Sequence, residues 1–299
     1  MPRLVQCIPN FSVGSDTSVI EQILDAIRNT PGCALLDSAP DESHNRVVVT
    51  FLGEPEAVLE GAYQAILVAT KLIDMNAHQG EHPRLGATDV VPFVPIKEVE
   101  MEECIQLACT LAERVAAELQ IPVYLYEEAA RFPHRRNLAD IRRGEYEGLQ
   151  EAIKTPERHP DFGPPRMHPT AGAMVIGARK PLVAFNVNLA TDDIYYARAI
   201  ARKVRAGGGG FVHCKALGVM VEIEGRDIAQ VTMNLVDYEN SSLHHVFEFI
   251  KREAARYGIN VLGSEIVGLL PMQALINSAI WYLQVDDFSK DQVLETRVT

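Results

Sequence analysis

The fold is indicated most clearly by residues 182–204, which read LVAFNVNLATDDIYYARAIARKV. Apolar side chains at the odd positions from Val183 to Leu189 alternate with Asn186 and Asn188, which is the two-residue period of a half-buried strand. The next apolar side chains recur at helical spacing behind Thr191-Asp192-Asp193, a typical helix cap. The stretch therefore predicts a strand followed by an amphipathic helix.

The rest of the second half extends this unit to the order βαββαβ, with one further helix. The predicted elements are strands near 215–223 and 228–235 joined by a turn at 224–227, a helix opening at Ser241 or Ser242 and capped by Gly258, a strand that begins with residues 260–262, and a helix after Pro271.

The first half shows the same order. It predicts strands at 4–8, 34–36, 47–52, 90–96 and 121–126, and helices beginning near 18, 56 and 98. Ser18 and Glu21 are expected to form a capping box, and Pro92 and Pro95 to place their strand at a sheet edge. The expected fold class is α/β (α+β), with two similar split βαββαβ subdomains and mixed sheets.

A proline-rich stretch separates the two halves, since five of the 17 prolines lie between 156 and 169. Such a density is incompatible with a regular helix or a central strand, so the stretch is read as a natural boundary. We expect subdomains at 1–178 and 179–299, with a ligand groove where they meet.

Composition excludes several classes of function. The chain has 299 residues, 28 Lys plus Arg and 40 Asp plus Glu, for a net charge of −12, which disfavours nucleic-acid and anionic-membrane partners. No apolar run is long enough for a membrane helix, and no secretory signal begins the chain. The 5 cysteines show no C-x-x-C and are expected to be reduced, so a cytoplasmic protein is predicted.

The densest group of polar residues is the loop 78–89, HQGEHPRLGATD. A histidine there suits proton transfer at neutral pH, and the alternative is a solvated loop without a functional role. A metal site would need His78 and His82 one helical turn apart, which Gly80 and Pro83 disfavour, so no metal is expected.

Three other loops carry candidate residues. In 41–46, Arg46 could bind a carboxylate, although the composition alone favours an ordinary polar hairpin loop. The stretch 161–172 could present its irregular backbone to a heterocycle or serve as a linker. The glycines 207–210 follow a helix, so they suggest a flexible loop or lid and not a phosphate cradle.

Motifs found in the same order along nearly the whole chain point to one family. They are Cys7-x-Pro9-Asn10-Phe11-Ser12, Leu35-Leu36-Asp37, Asn45-Arg46, Leu72-Ile73-Asp74-Met75, Gly80-Glu81-His82-Pro83-Arg84, Asp89-x-x-Pro92-Phe93, Pro122-Val123-Tyr124-Leu125-Tyr126, Ile141-Arg142-x-Gly144-Glu145, Pro160-Asp161-Phe162-Gly163-Pro164, Gly177-Ala178-Arg179 and Phe185-Asn186-x-Asn188. With them the chain resembles the glutamate formiminotransferases, the folate-dependent enzymes of histidine breakdown. The resemblance implies two α/β subdomains that face a folate-binding groove, usually in a homodimer.

The resemblance also implies a mechanism. N5 of tetrahydrofolate, the co-substrate, attacks the formimino carbon of N-formimino-L-glutamate, and the histidine matching His82 moves protons between the two nitrogens. The folate-contacting stretch of the family matches Gly163, Pro164, Pro165, Arg166, Met167, His168, Pro169, Thr170, Ala171 and Gly172. The candidates for substrate binding are Asn10, Asp41, Arg46 and Arg84.

The chain departs from the animal members in two respects. They carry an acidic residue two positions after the match to Asp37, where this chain has Ala39, with Asp41 and Glu42 as the nearest acids. They also carry a fused cyclodeaminase domain, so that activity is expected from a separate protein.

Two other functions remain open from the sequence. The same pocket could act on 5-formyltetrahydrofolate, by formyl transfer to glutamate or by cyclisation, because the donors differ by NH against O. A non-catalytic folate or amino-acid sensor is the alternative from another class, and the motif at 80–84 argues against it.

Overall fold

The structure is a computed structural model that describes residues 3–80 and 82–297, apart from the side chain of Lys290. Glu81, one residue of the motif at 80–84, lies outside the described residues. The chain divides into two compact units after Lys180. No helix in the described part of the chain is long and apolar enough to span a membrane.

The first unit contains seven strands and five α-helices among its described residues. They are β1 (Leu4–Cys7), β2 (Asn10–Phe11), α1 (Thr17–Arg28), β3 (Cys33–Asp41), β4 (Arg46–Gly53), α2 (Pro55–Leu72), β5 (Thr88–Lys97), α3 (Met101–Leu119), β6 (Val123–Glu127), α4 (Leu138–Ile141), α5 (Glu145–Ala152) and β7 (Met174–Ala178).

These strands form one mixed sheet. The order β3-β4-β1-β5 is antiparallel, with the short β2 also between β4 and β5, and β5-β7-β6 continues it in parallel. Apolar side chains of α1, α2 and α3 pack with the sheet in the main core, while Leu85, Tyr124 and Leu149 belong to a second cluster. The mixed α/β class expected from the sequence is confirmed.

The prediction that β5 lies at a sheet edge is wrong. β5 pairs with β1 and β2 and, on its other side, with β7, a strand that hydrophobic periodicity did not predict. Pro92, which has no N–H to donate, takes part in the sheet as an acceptor: its carbonyl accepts a hydrogen bond of 3.3 Å from the N–H of Ile8.

Two further expectations need correction. Helix α1 is capped by Asp16, whose Oδ1 accepts hydrogen bonds from the N–H groups of Ser18 (3.0 Å) and Val19 (3.1 Å), so a box of Ser18 with Glu21 is not needed. The proline-rich stretch belongs to the first unit, where Phe162 O accepts a 2.9 Å hydrogen bond from Val123 N.

The second unit has the element order predicted for it. Its elements are β8 (Val183–Leu189), α6 (Ile194–Val204), β9 (Cys214–Ile223), β10 (Arg226–Leu235), α7 (Leu243–Ala255), β11 (Val261–Val267) and α8 (Met272–Leu283). The antiparallel sheet has the order β11-β8-β10-β9. Asp193 caps α6 by accepting from Tyr195 N at 2.9 Å, as the sequence predicts.

The glycine run follows α6 as a tight turn. A Cβ at Gly210 would lie 2.2 Å from the carbonyl oxygen of Val204, and Gly209 has a φ of +83°. Glycine is therefore required there by close backbone approach. That the run acts as a lid, and that a groove lies between the two halves, stay predictions.

Candidate active site

His82 lies in the loop that precedes β5. Its Nδ1 donates a 2.7 Å hydrogen bond to the carbonyl oxygen of Pro83. Its Nε2 contacts Nη1 of Arg46, and a guanidinium can only donate, so Nε2 carries the lone pair. The ring is thus neutral, with its basic nitrogen turned towards Arg46.

Burial and two arginines keep this ring neutral. They lower the pKa of His82 to about 4: burial contributes most, followed by the positive charges of Arg46 and Arg142. Asp89 and the hydrogen bond to Pro83 act in the opposite direction. Near pH 7, His82 can therefore accept a proton without first losing one.

Arg46, the first residue of β4, is partly buried. Its Nη2 donates to Oδ1 of Asn10, whose own Nδ2 donates to the carbonyl of Ile8 at 2.9 Å. Its Nε is buried and has no hydrogen-bond partner among the described residues. Burial lowers the pKa of Arg46 to about 10, and within the described part of the chain no carboxylate forms an ion pair with it. The guanidinium thus has capacity to bind an anion.

Arg84 is placed differently, although the sequence grouped it with Arg46 as a substrate-binding candidate. It is 8% exposed and forms ion pairs with Glu145 (3.1 Å) and Glu147 (2.6 Å) of α5. Its Nε donates to Nδ1 of His78 at 3.4 Å. Because its donors are already taken by two carboxylates, Arg84 fixes the loop of His82 against α5.

His78 is also held in place, by hydrogen bonds to the loop that contains Asn45. Its Nε2 donates a 3.0 Å hydrogen bond to the carbonyl of Asn45, and Asn45 Nδ2 donates to the carbonyl of Gln79 at 2.9 Å. The two loops, 78–82 and 41–46, therefore pack together. Within the described residues, no group of three or more His, Cys, Asp or Glu side chains is arranged to hold a metal ion.

A buried ion pair lies beneath the site. Asp89, 2% exposed in β5, accepts a 2.9 Å hydrogen bond from Leu85 N through Oδ1 and pairs with Arg142 through Oδ2. The sequence analysis named Asp89 in the polar loop 78–89 and in one family motif, and Arg142 in another family motif. The topology that joins them was not readable from spacing.

Asp41 lies at the end of β3, opposite Arg46 in the β3–β4 pairing, and its carboxylate forms its ion pair with His44. Partial burial raises its pKa, but hydrogen bonds from the His44 N–H, the Ser43 hydroxyl and the His44 ring outweigh that and hold the pKa well below its ordinary value. The ring bond joins Asp41 Oδ2 to His44 Nδ1 at 2.6 Å. The rings of His44 and His82 lie edge to face, with centroids 6.0 Å apart.

The end of the predicted folate segment adjoins the loop of His82. The carbonyl of Thr170 accepts from Met75 N at 2.8 Å, and that of Ala171 from Ala87 N at 2.9 Å. His168 Nδ1 accepts a hydrogen bond from Ala171 N at 2.9 Å, and burial lowers the pKa of the ring. Gly172 has a φ of +74° and crosses close to the carbonyl of Leu85.

The start of the same segment lies beside β6. Gly163 has a φ of +87°, and a Cβ there would lie 2.9 Å from the carbonyl of Ile121. Pro165, Arg166 and Pro169 are exposed, while Pro164 and Met167 are partly buried. The structure thus joins Arg46 to both His82 and Asn10, and Arg84 holds the loop of His82. Residues 170–172 lie against Met75, Leu85 and Ala87, on either side of that loop along the chain.

His44 is the residue near His82 that the sequence reasoning missed. It was quoted as part of a polar hairpin loop, and nothing in that composition indicated that its ring would meet His82. The spacing Asp41-x-x-His44, with Asn45 and Arg46 next to it, was the available sign, because an Asp three residues before a His can orient its ring across a turn.

Comparison with known proteins identifies the family. The model of the formiminotransferase domain, N-terminal subdomain, matches residues 4–179, and that of the formiminotransferase domain matches residues 184–297. The chain is 50% identical over 299 residues to a glutamate formimidoyltransferase of Streptococcus pyogenes, covering 100% of this chain and 99% of that one.

Other relatives agree. A glutamate formimidoyltransferase of Thermoplasma acidophilum is 44% identical, with 99% of this chain and 97% of that one covered. The formimidoyltransferase-cyclodeaminase of Mus musculus is 48% identical over 94% of this chain, which spans 53% of that protein. From the two matching domains and these full-length likenesses, we conclude that the chain belongs to the glutamate formimidoyltransferase family.

Proposed function

We propose that this enzyme transfers the formimino group of N-formimino-L-glutamate to N5 of tetrahydrofolate, with His82 as the group that takes up the proton. Relatives that match over nearly their full length are named glutamate formimidoyltransferases, which supports formimino transfer as the reaction. The observation that supports the role of His82 is its neutral ring, whose Nε2 lone pair is directed at a partly buried arginine.

The chemistry requires two proton movements. N5 of the folate bonds to the formimino carbon and loses its proton, and the bond from that carbon to the glutamate nitrogen then breaks. The departing nitrogen takes the electron pair and a proton. A neutral imidazole beside the reacting atoms supplies the acceptor for the first movement.

We assign Arg46 to binding a carboxylate of the substrate. Its unpaired Nε and its lack of an ion-pair partner among the described residues support this assignment. A substrate carboxylate on Arg46 would offset the positive charge that now lowers the pKa of His82. Binding would thereby make His82 a stronger base at the moment when it must accept the proton from N5.

We place the folate against residues 163–172. The bent backbone there is fixed by hydrogen bonds from residues 75, 76 and 87. A pterin needs donors and acceptors in fixed positions, and backbone groups held in this way meet that need without the entropy cost of ordering a loop. The segment ends beside the loop of His82, which is where N5 must arrive.

We also propose that the two units are repeats of one βαββαβ unit. In each sheet the second strand of the unit pairs with the third, the third with the first, and the first with the fourth, giving β3-β4-β1-β5 and β9-β10-β8-β11. The subdomain limits at 178 and 179, the homodimer, the cytoplasmic location, the absence of a metal and the separate cyclodeaminase stay predictions.

Replacing His82 tests the proposal. His82→Ala should lower kcat by about 10²-fold or more, the usual contribution of a positioned acid or base, and leave tetrahydrofolate binding intact. Rates are compared in a coupled assay, and folate affinity by calorimetry. His134→Ala, which removes an exposed histidine 52 residues after His82 in the sequence, is the matched control and should keep wild-type rates. A His82→Ala enzyme with near-wild-type kcat would overturn the assignment.

A further inference from the structure

A second histidine with its own carboxylate lies next to His82. His44 Nδ1 is 2.6 Å from Asp41 Oδ2, the Ser43 hydroxyl is 3.3 Å from the same nitrogen, and the His44 N–H donates to Asp41 Oδ1 at 3.0 Å. Asp41 thus holds both the backbone and the ring of His44. The orientation of the ring is fixed although its side chain is 44% exposed.

The two histidines have opposite surroundings. His82 is partly buried and adjoins Arg46, and both features lower the pKa of its ring. His44 is half exposed, and its Nδ1 lies 2.6 Å from a carboxylate oxygen of Asp41. Neighbouring proton-transfer groups in unlike surroundings can take different roles, one as base and the other as acid.

We propose that His44, oriented by Asp41, is a second catalytic residue, which protonates the glutamate nitrogen as it leaves. The inference rests on the proposed formimino transfer and deepens it. His82 Nε2 takes the proton from N5 when the new carbon–nitrogen bond forms. His44 Nε2 gives a proton to the glutamate nitrogen when the old bond breaks, and the electron pair of that bond stays on the nitrogen.

The positions of the two histidines fit these two roles. In the tetrahedral adduct the attacking nitrogen and the departing nitrogen are bonded to the same carbon, so the two proton-transfer groups must lie within a few ångströms of each other. Rings that meet edge to face with centroids 6.0 Å apart are direct neighbours, so both can reach an adduct that lies beside them. The half-exposed His44 can regain its proton from solvent, and His82 can return its proton the same way after the product leaves.

The test compares His44→Gln, Asp41→Asn and the double variant with the wild-type enzyme. We expect His44→Gln to lower kcat by about 10²-fold and Asp41→Asn by less, with the double variant no worse than His44→Gln because the pair acts as one unit. The KM values should stay within about threefold, since the interaction is made only as the bond breaks. The alkaline limb of the kcat profile, which reports loss of the acid, should vanish in His44→Gln.

The control is Glu42→Gln, which removes an exposed carboxylate of the same loop. It should leave kcat, KM and the pH profile unchanged. A residue that merely shapes the loop would instead raise KM and weaken tetrahydrofolate binding without altering the pH profile, and that result would overturn the inference.

The two proposals fail in different ways. If the wild-type enzyme does not turn over N-formiminoglutamate, the proposed function fails and this inference with it. If the wild-type enzyme turns it over and His44→Gln has the same kcat and pH profile, only the inference about His44 is overturned.

Discussion

At the scale of single residues, His82 and Arg46 act on each other. Arg46 donates to the nitrogen of His82 that must accept a proton, and its charge lowers the pKa of the ring. The positive charge of Arg46 is only partly compensated, because its hydrogen-bond partner Asn10 is neutral. The pair is suited to bind an anion, because a carboxylate on Arg46 would neutralise the charge of the arginine and raise the pKa of His82.

Arg46→Gln tests this coupling. The pKa of His82 should rise above 4, and it should stay below the ordinary value of about 6.5, because burial is the larger cause of the shift. His82 must be neutral to accept a proton, so the acidic limb of kcat/KM should move to higher pH. The imidazole is titrated directly by NMR, and the KM for N-formiminoglutamate should increase.

A matched control is Arg136→Gln, which removes an exposed arginine paired with Glu128. It should leave the His82 titration unchanged. A His82 titration that is the same in Arg46→Gln as in the wild type would show that the arginine does not set the pKa of the ring.

At the scale of elements, the loop before β5 is held from three sides. Arg84 joins it to α5, the backbone of 41–46 packs on His78 and Gln79, and the end of the folate segment hydrogen-bonds to Ala87. Catalytic groups in a loop need such supports, because a displacement of about 1 Å can cost a hundredfold in rate. The loop is therefore a fixed part of the site.

Gly172 is the most constrained point of this arrangement. Its φ is +74°, and a Cβ would lie 2.5 Å from the carbonyl oxygen of Leu85. Gly172→Ala should therefore lower the free energy of unfolding by about 1–3 kcal/mol and weaken tetrahydrofolate binding. Urea denaturation and calorimetry measure the two effects.

Gly148 provides the contrast within α5. No heavy atom lies within 4 Å of a Cβ built there, so Gly148→Ala should be neutral or stabilising by up to about 1 kcal/mol. If Gly172→Ala were as harmless as Gly148→Ala, the close approach of the folate segment to Leu85 would not be a constraint on the fold.

At the scale of the whole molecule, most elements were predictable because their periodicity is local. The strand β8 and helix α6 follow directly from alternation and helical spacing in residues 182–204. The strand β7 was missed because its five residues are all buried, and such a run has no period. Missing β7 made Pro92 appear to mark an edge.

The site was predictable to a lesser extent. His82 was predicted from its motif. The different roles of Arg46 and Arg84 depend on which arginine forms ion pairs, and the partners of Arg84, Glu145 and Glu147, lie about 60 residues away along the chain. The meeting of His44 with His82 likewise depends on β4 bringing two loops together. Contacts of this kind follow from topology and not from sequence spacing.

One measurement tests the central claim most directly: turnover by the purified wild-type enzyme of N-formimino-L-glutamate with tetrahydrofolate, against 5-formyltetrahydrofolate with glutamate. The account predicts that the formimino donor is used and is much the faster of the two, with 5-formiminotetrahydrofolate and glutamate as products. Use of the formyl compound alone would contradict the proposed reaction but would still agree with a folate-binding pocket. Binding of folate with turnover of neither donor would contradict catalysis itself and favour a sensor.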